Sequence, residues 1–165
     1  MFKRSEAISV GPFEDMTADE KYMRLALEAA NAAGANGEVP IGACITDAEG
    51  NVLATAGNTT ISDNDPTAHS EINALRMAAQ KIGNYRLTEC VVYTTIEPCA
   101  MCAGALVNSR IGRLVFGARD KRYGAVRTLF ELCDNKSLNH RMEISEGVLG
   151  DECGELVREF FKCRR

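Results

Sequence analysis

The sequence predicts an α/β fold in which a mixed sheet is covered by helices on both faces. Three observations carry that expectation. Segments with helical spacing of apolar residues alternate with short strand-like runs, the order that places a sheet between helices. The run "CVVYTTI" (90–96) is apolar at successive positions, as a central strand covered on both faces must be. Near the start, two strand-like runs flank a tight turn, so one strand pair is antiparallel and the sheet is mixed.

The elements follow in order. Thr17 and Glu20 have capping-box spacing and open a helix that buries Met23, Ala26, Leu27 and Ala30. Gly34 and Gly37 end it. "VPIGACIT" (39–46) and "VLATAGN" (52–58) are the hairpin strands around the turn "DAEGN". Asp65 or Thr67 caps the next helix, with Pro66 tolerated in its first turn. Ile72, Leu75, Ala79 and Ile82 form its core-facing stripe, and Gly83 stops it. After the central strand come a helix over about 99–109 and a strand "RLVFGA" (113–118). The pattern then weakens to a short helix near 126–132, a strand near "RMEISEG", and a last helix from Asp151 burying Leu156, Val157, Phe160 and Phe161.

Composition excludes several function classes. A chain of 165 residues reads as one domain over 1–165, able to bury roughly 70% of its unfolded surface. Residues 1–16 read as a flexible N-terminal extension. They contain basic residues but no apolar run, so they are not a signal peptide. No stretch reaches the ~20 apolar residues of a membrane span. Seven cysteines with no secretory leader argue against a disulfide framework and for the reducing cytoplasm. The net charge of −4 gives no global argument for nucleic acid. Locally, however, Arg110, Arg113, Arg119, Lys121, Arg122 and Arg127 face the single acid Asp120, and Arg158, Lys162, Arg164 and Arg165 crowd the tail. A solvated basic face is the plain reading of such runs.

Chemistry concentrates in two short stretches. "PTAHSEINAL" (66–75) sets His69 two residues before Glu71 at a helix start, and "EPCAMCAG" sets Cys99 three before Cys102 at another. Cysteines at that spacing share one helix face and can reach one ion. With a neutral His69 nitrogen they make three ligands that suit zinc, leaving the fourth tetrahedral position for water. Helix N-termini favour thiolates there. Glu71 can reach that water without binding metal and can carry protons as a general acid–base. Two other readings compete. The cysteine pair could be half of a structural four-ligand zinc completed by Cys44, Cys90, Cys133 or His140, or a redox pair. None of those candidates has a partner at ligand spacing, and a redox pair does not call for His69 and Glu71. Glu71 by itself could also simply complement a helix dipole.

"HSE" with "PCAMC" resembles the zinc nucleobase deaminases. "GNTTISDNDPTAHSEINAL", "TTIEPCAMCAGALVNSRIGRLVFGARD" and "LNHRMEISEGVLGDECGELVREFFKCRR" narrow the resemblance to the bacterial tRNA-specific adenosine deaminases, from about Asp19 to Arg165. The resemblance implies a three-layer α/β/α, cytidine deaminase-like fold with a mixed five-stranded sheet. It implies one Zn2+ per subunit on His69, Cys99 and Cys102, Glu71 as proton shuttle and Asn58 as a contact to a flipped adenine, with no organic cofactor. It further implies a homodimer acting on the tRNA anticodon loop, forming inosine at the wobble position. Lys121, Arg122 and Arg165 are the candidate RNA-backbone contacts. The small residues Ala103, Gly104 and Ala105 suit close packing of a second copy. Ser70 stands where the family usually has alanine, and "GAVRTLF" (124–130) is bulkier than its usual counterpart. A deaminase of a free nucleobase (guanine or cytosine) or nucleoside shares the zinc and the shuttle and is the alternative.

Overall fold

In the computed structural model, which describes residues 16–164, Thr17 and Glu20 close a reciprocal capping box and start helix α1 (Ala18–Ala35). The chain continues through β1 (Gly42–Thr46), β2 (Val52–Gly57), α2 (Ser70–Ile82), β3 (Val91–Ile96), α3 (Ala100–Asn108), β4 (Arg113–Ala118), β5 (Glu143–Glu146) and α4 (Gly150–Lys162). The flexible extension expected over 1–16 falls almost wholly outside the described residues, and Arg165 lies outside them too.

The five strands form one mixed sheet in the order β2-β1-β3-β4-β5. β1 pairs antiparallel with β2 and β3, while β3, β4 and β5 run parallel. Side chains alternate across it. Ala43, Ile45, Val92, Leu114 and Phe116 pack on one face with α2 and α3; Cys44, Tyr93 and Val115 pack on the other with α1 and α4. Burial on both faces explains why β1 and the inner part of β3 read as unbroken apolar runs. α1 lies so close to β1 that a Cβ at Gly42 would overlap the Ala26 carbonyl. Only glycine allows that approach.

Four local expectations need correction. The first hairpin strand begins at Gly42, because Val39–Ile41 lead into it without pairing in the sheet. α2 starts at Ser70 with His69 at its N-cap, since Asp65 spends its carboxylate on Thr67 within a turn and caps no helix. The core face of α2 is Glu71, Ala74, Leu75 and Ala78; Ile72 is half-buried and Ile82 is 45% exposed. In α4, Cys153 and Gly154 are the buried positions, Leu156, Val157 and Phe160 are half-buried, and Phe161 is 48% exposed. In both helices the amphipathic face fits two orientations, and contact with the sheet selects between them.

The helix expected near 126–132 is absent: a turn runs through 126–128 and the chain continues irregularly to 132. The N–H groups of Val126, Arg127 and Thr128 donate to the Glu97 carboxylate, a partner remote in sequence.

Candidate metal centre and active site

His69 and Cys99 are the N-cap residues of α2 and α3, both with extended backbone and neither capping its helix with its own side chain. Each side chain therefore sits at the positive end of a helix while its donor atom remains free for another partner. Cys102 lies one turn further along α3 and is fully buried. Nδ1 of His69 is 3.6 Å from Cys99 Sγ and 3.5 Å from Cys102 Sγ. Nitrogen and sulfur on a tetrahedral zinc, at about 2.05 and 2.3 Å from the ion, stand about 3.6 Å apart. The donor set and its spacing thus fit zinc. Among the described residues, no other group of three His, Cys, Asp or Glu side chains converges in this way. His140, one of the candidates for completing a structural site, is turned to the Ile111 carbonyl at 2.7 Å.

The electrostatics suit a metal. A hydrogen bond from Cys102, with help from His69, holds the Cys99 thiol down to about 4 despite partial burial. The same shared proton, together with burial, pushes the Cys102 thiol up. A dication between the two sulfurs favours the thiolate of both. Glu71, 4% exposed in the first turn of α2, has its pKa raised because burial disfavours the carboxylate. The Ser70 hydroxyl donates to Glu71 Oε2 at 3.0 Å. Ser70, noted in the sequence only as standing where the family usually has alanine, thus touches the shuttle candidate directly.

Asn58 follows β2 directly and is buried. Its Oδ1 accepts the backbone N–H of Ser70 at 2.8 Å, which ties the end of β2 to the start of α2. The intervening loop is pinned by Glu38, another residue sequence reasoning missed. Its carboxylate accepts from Thr60 Oγ1, Ile61 N–H and both the N–H and hydroxyl of Ser62. The signal, an isolated acid before an apolar strand, does not distinguish it from a surface glutamate.

The basic stretch 110–127 is not one free cationic cluster. Arg113 forks onto Asp19, Arg119 onto Glu146, and Arg127 pairs with Asp134, while Arg110 donates to Asn139. Lys121 and Arg122 remain exposed and unpaired among the described residues. In the tail, Lys162 pairs with Glu159, and Arg164 stacks on Phe160 while donating to the Gly37 carbonyl. Folding thus pairs Arg113, Arg119, Arg127, Arg158 and Lys162 with acids and leaves the rest of the two basic runs uncompensated by a carboxylate among the described residues.

Comparison with known proteins places this site in a family. Residues 16–118 match the zinc-binding region of the cytidine and deoxycytidylate deaminases, a stretch that contains His69, Cys99 and Cys102. The tRNA-specific adenosine deaminase of Haemophilus influenzae is 49% identical over 147 residues, covering 89% of this chain and 85% of the relative. The chain belongs to the tRNA-specific adenosine deaminase family, within the zinc-binding deaminases. A solved structure from studies of A-to-I editing by tRNA:A34 deaminases at the wobble position superposes with a TM-score of 0.79 at 40% identity, covering 82% of this chain and 98% of that one. A guanine deaminase of Bacillus subtilis is 35% identical, with a TM-score of 0.58, over 61% of this chain and 64% of its own. The tRNA-enzyme likeness carries the higher sequence identity, and zinc is the family's metal.

Proposed function

We propose that the protein is a single-domain enzyme that hydrolytically deaminates adenosine to inosine at the wobble position of tRNA. The carrying observation is the convergence of His69, Cys99 and Cys102 at two helix N-termini beside the buried Glu71. His69, Cys99 and Cys102 hold one zinc per chain, which when bound makes water acidic enough to supply a nucleophile at neutral pH. Glu71 accepts the proton of the attacking water and returns it to the exocyclic nitrogen, which leaves as ammonia. Asn58 Oδ1 accepts Ser70 N–H, and both its amide N–H donors are without a protein partner among the described residues and available to the base. Asn58 therefore suits an acceptor atom of adenine.

An anticodon loop supplies an unstacked base at little cost, and its phosphates need cations. Lys121 and Arg122 support that role, with Arg165 added from the sequence. A second copy completes the enzyme as a homodimer. Ala103 is buried in its own core, but Gly104 has open space beside it and Leu129 and Phe130 are 51% and 57% exposed, which supports close apposition. Light scattering should give twice the chain mass; a monomer at working concentration ends the dimer assignment. The cysteines form no disulfide among the described residues, and no described helix is long and apolar enough to cross a membrane. Both observations support the cytoplasm as the place of action.

The decisive experiment offers the zinc-loaded protein an anticodon stem-loop with adenosine at the wobble position, in parallel with free guanine, cytosine and adenosine. Inosine in the RNA and no ammonia from the free bases is expected. Ammonia from guanine or cytosine with unchanged RNA replaces this reading with a free-base deaminase.

A further inference from the structure

We infer that Glu97 is a positioning residue, fixing the 120–128 loop against the metal-bearing segment and thereby setting affinity for the RNA more than the rate of the chemical step. The inference rests on the reading of the site as an RNA deaminase. Glu97 directly follows the central strand β3, two residues before Cys99, and is 3% exposed. Its carboxylate gathers five donors from one loop. Oε1 accepts the N–H groups of Val126, Arg127 and Thr128 at 3.1, 2.6 and 2.9 Å. Oε2 accepts Asp120 N–H at 3.0 Å and the Thr128 hydroxyl at 2.5 Å.

Among the described residues, no cation pairs with Glu97. Arg119 and Arg127, the nearby candidates, pair with Glu146 and Asp134 instead. A buried carboxylate is costly unless donors surround it, and packing alone would be served equally well by an apolar side chain. What the carboxylate adds is a fixed loop path. The same loop is strapped to the ligand segment a second time: Ala125 N–H donates to the Pro98 carbonyl at 2.8 Å, and Gly124 bridges Cys99. A Cβ at Gly124 would overlap the Glu97 carboxylate, so glycine there lets the loop close down. Lys121, Arg122 and Tyr123 ride on this loop with exposed side chains. Glu97 thus joins the residue that would hold zinc to the residues that would hold phosphate.

The test uses Glu97→Gln in the zinc-loaded full chain, because glutamine keeps the size but replaces one acceptor oxygen with an amide NH2 that faces backbone donors. Zinc content should stay near one per chain, and amide hydrogen exchange over 120–128 should quicken while the other strands keep their protection. KM for the anticodon stem-loop should rise about tenfold, the loss of roughly one buried charge-assisted hydrogen bond, with kcat within about threefold. Unchanged exchange overturns the inference, as does a collapse of kcat at constant KM. Gly124→Ala attacks the same clamp from the loop side with Glu97 intact; it should reproduce both effects and decides the matter if Glu97→Gln does not fold. The exchange measurement needs no RNA. A wild-type protein inert toward the stem-loop therefore defeats the functional reading, while exchange in the variants still supports or overturns the clamp.

Discussion

At the scale of single residues, Glu71 and Cys102 lie within one small volume but have separable consequences. Glu71 is buried in the first turn of α2 and lies outside the converging ligand set. Glu71→Ala should therefore keep zinc and fold while turnover falls by about 10²–10⁴-fold, the usual cost of losing a general acid–base. Metal analysis beside single-turnover kinetics checks this, and wild-type turnover would remove Glu71 from the chemistry. Cys102→Ser takes away a ligand outright. Zinc content and activity should fall together, and the midpoint of thermal unfolding should fall with them, because metal binding stabilises only the folded site. A variant that keeps a full equivalent of zinc would assign Cys102 to the core rather than the metal.

Among the elements, the side of the sheet remote from the metal is tied together by one polar knot. Arg113 on β4 forks onto Asp19 of α1 at 2.8 and 2.7 Å, donates to Ser145 of β5 and pairs with Glu143. The Arg113 hydrogen bond holds the Asp19 carboxyl below its ordinary range, against the effect of partial burial. A depressed folded value means that this contribution is complete above the unfolded pKa of about 3.9 and is lost as pH falls through the folded one. Asp19→Asn should cost about 1–3 kcal/mol at neutral pH, by leaving Arg113 short of its partner. As pH falls below about 3.9 the wild type should lose that advantage and the two denaturation curves should converge. Curves that stay parallel into acid would show that the pair contributes nothing. The active-site elements are held differently, by the backbone donors that Glu38 and Glu97 collect.

For the whole molecule, a chain of net charge −4 that binds RNA must do so through local surface. Because Arg113, Arg119 and Arg127 are already paired, Lys121 and Arg122 carry most of what the 110–127 stretch can offer. Neutralising both to alanine should weaken stem-loop binding and flatten the slope of log affinity against log salt by about 1.4, at ~0.7 per single-strand phosphate contact. Zinc content should not change. An unaltered slope would move the RNA path elsewhere on the surface.

The sequence determined what is written over short spans. The Thr17–Glu20 box, the His69–Glu71 and Cys99–Cys102 spacings and the apolar run of β3 are satisfied by neighbours within a turn or by simple burial, so they were legible directly. The mixed direction of the sheet followed from the hairpin and the alternation of elements, whereas the order β2-β1-β3-β4-β5 was set by pairing between distant segments. Tertiary structure alone decided whatever depends on partners far apart in the chain. Asp19 meets Arg113 across 94 residues and silences part of an apparent basic patch. Glu97 reaches about 30 residues ahead and replaces an expected helix near 126–132 with a clamped loop. Contact with the sheet chose the buried face of α2 over the Ile72–Ile82 stripe. Periodicity and spacing record what a segment is able to do; which donor, cation or face is used up is settled by the elements that fold against it.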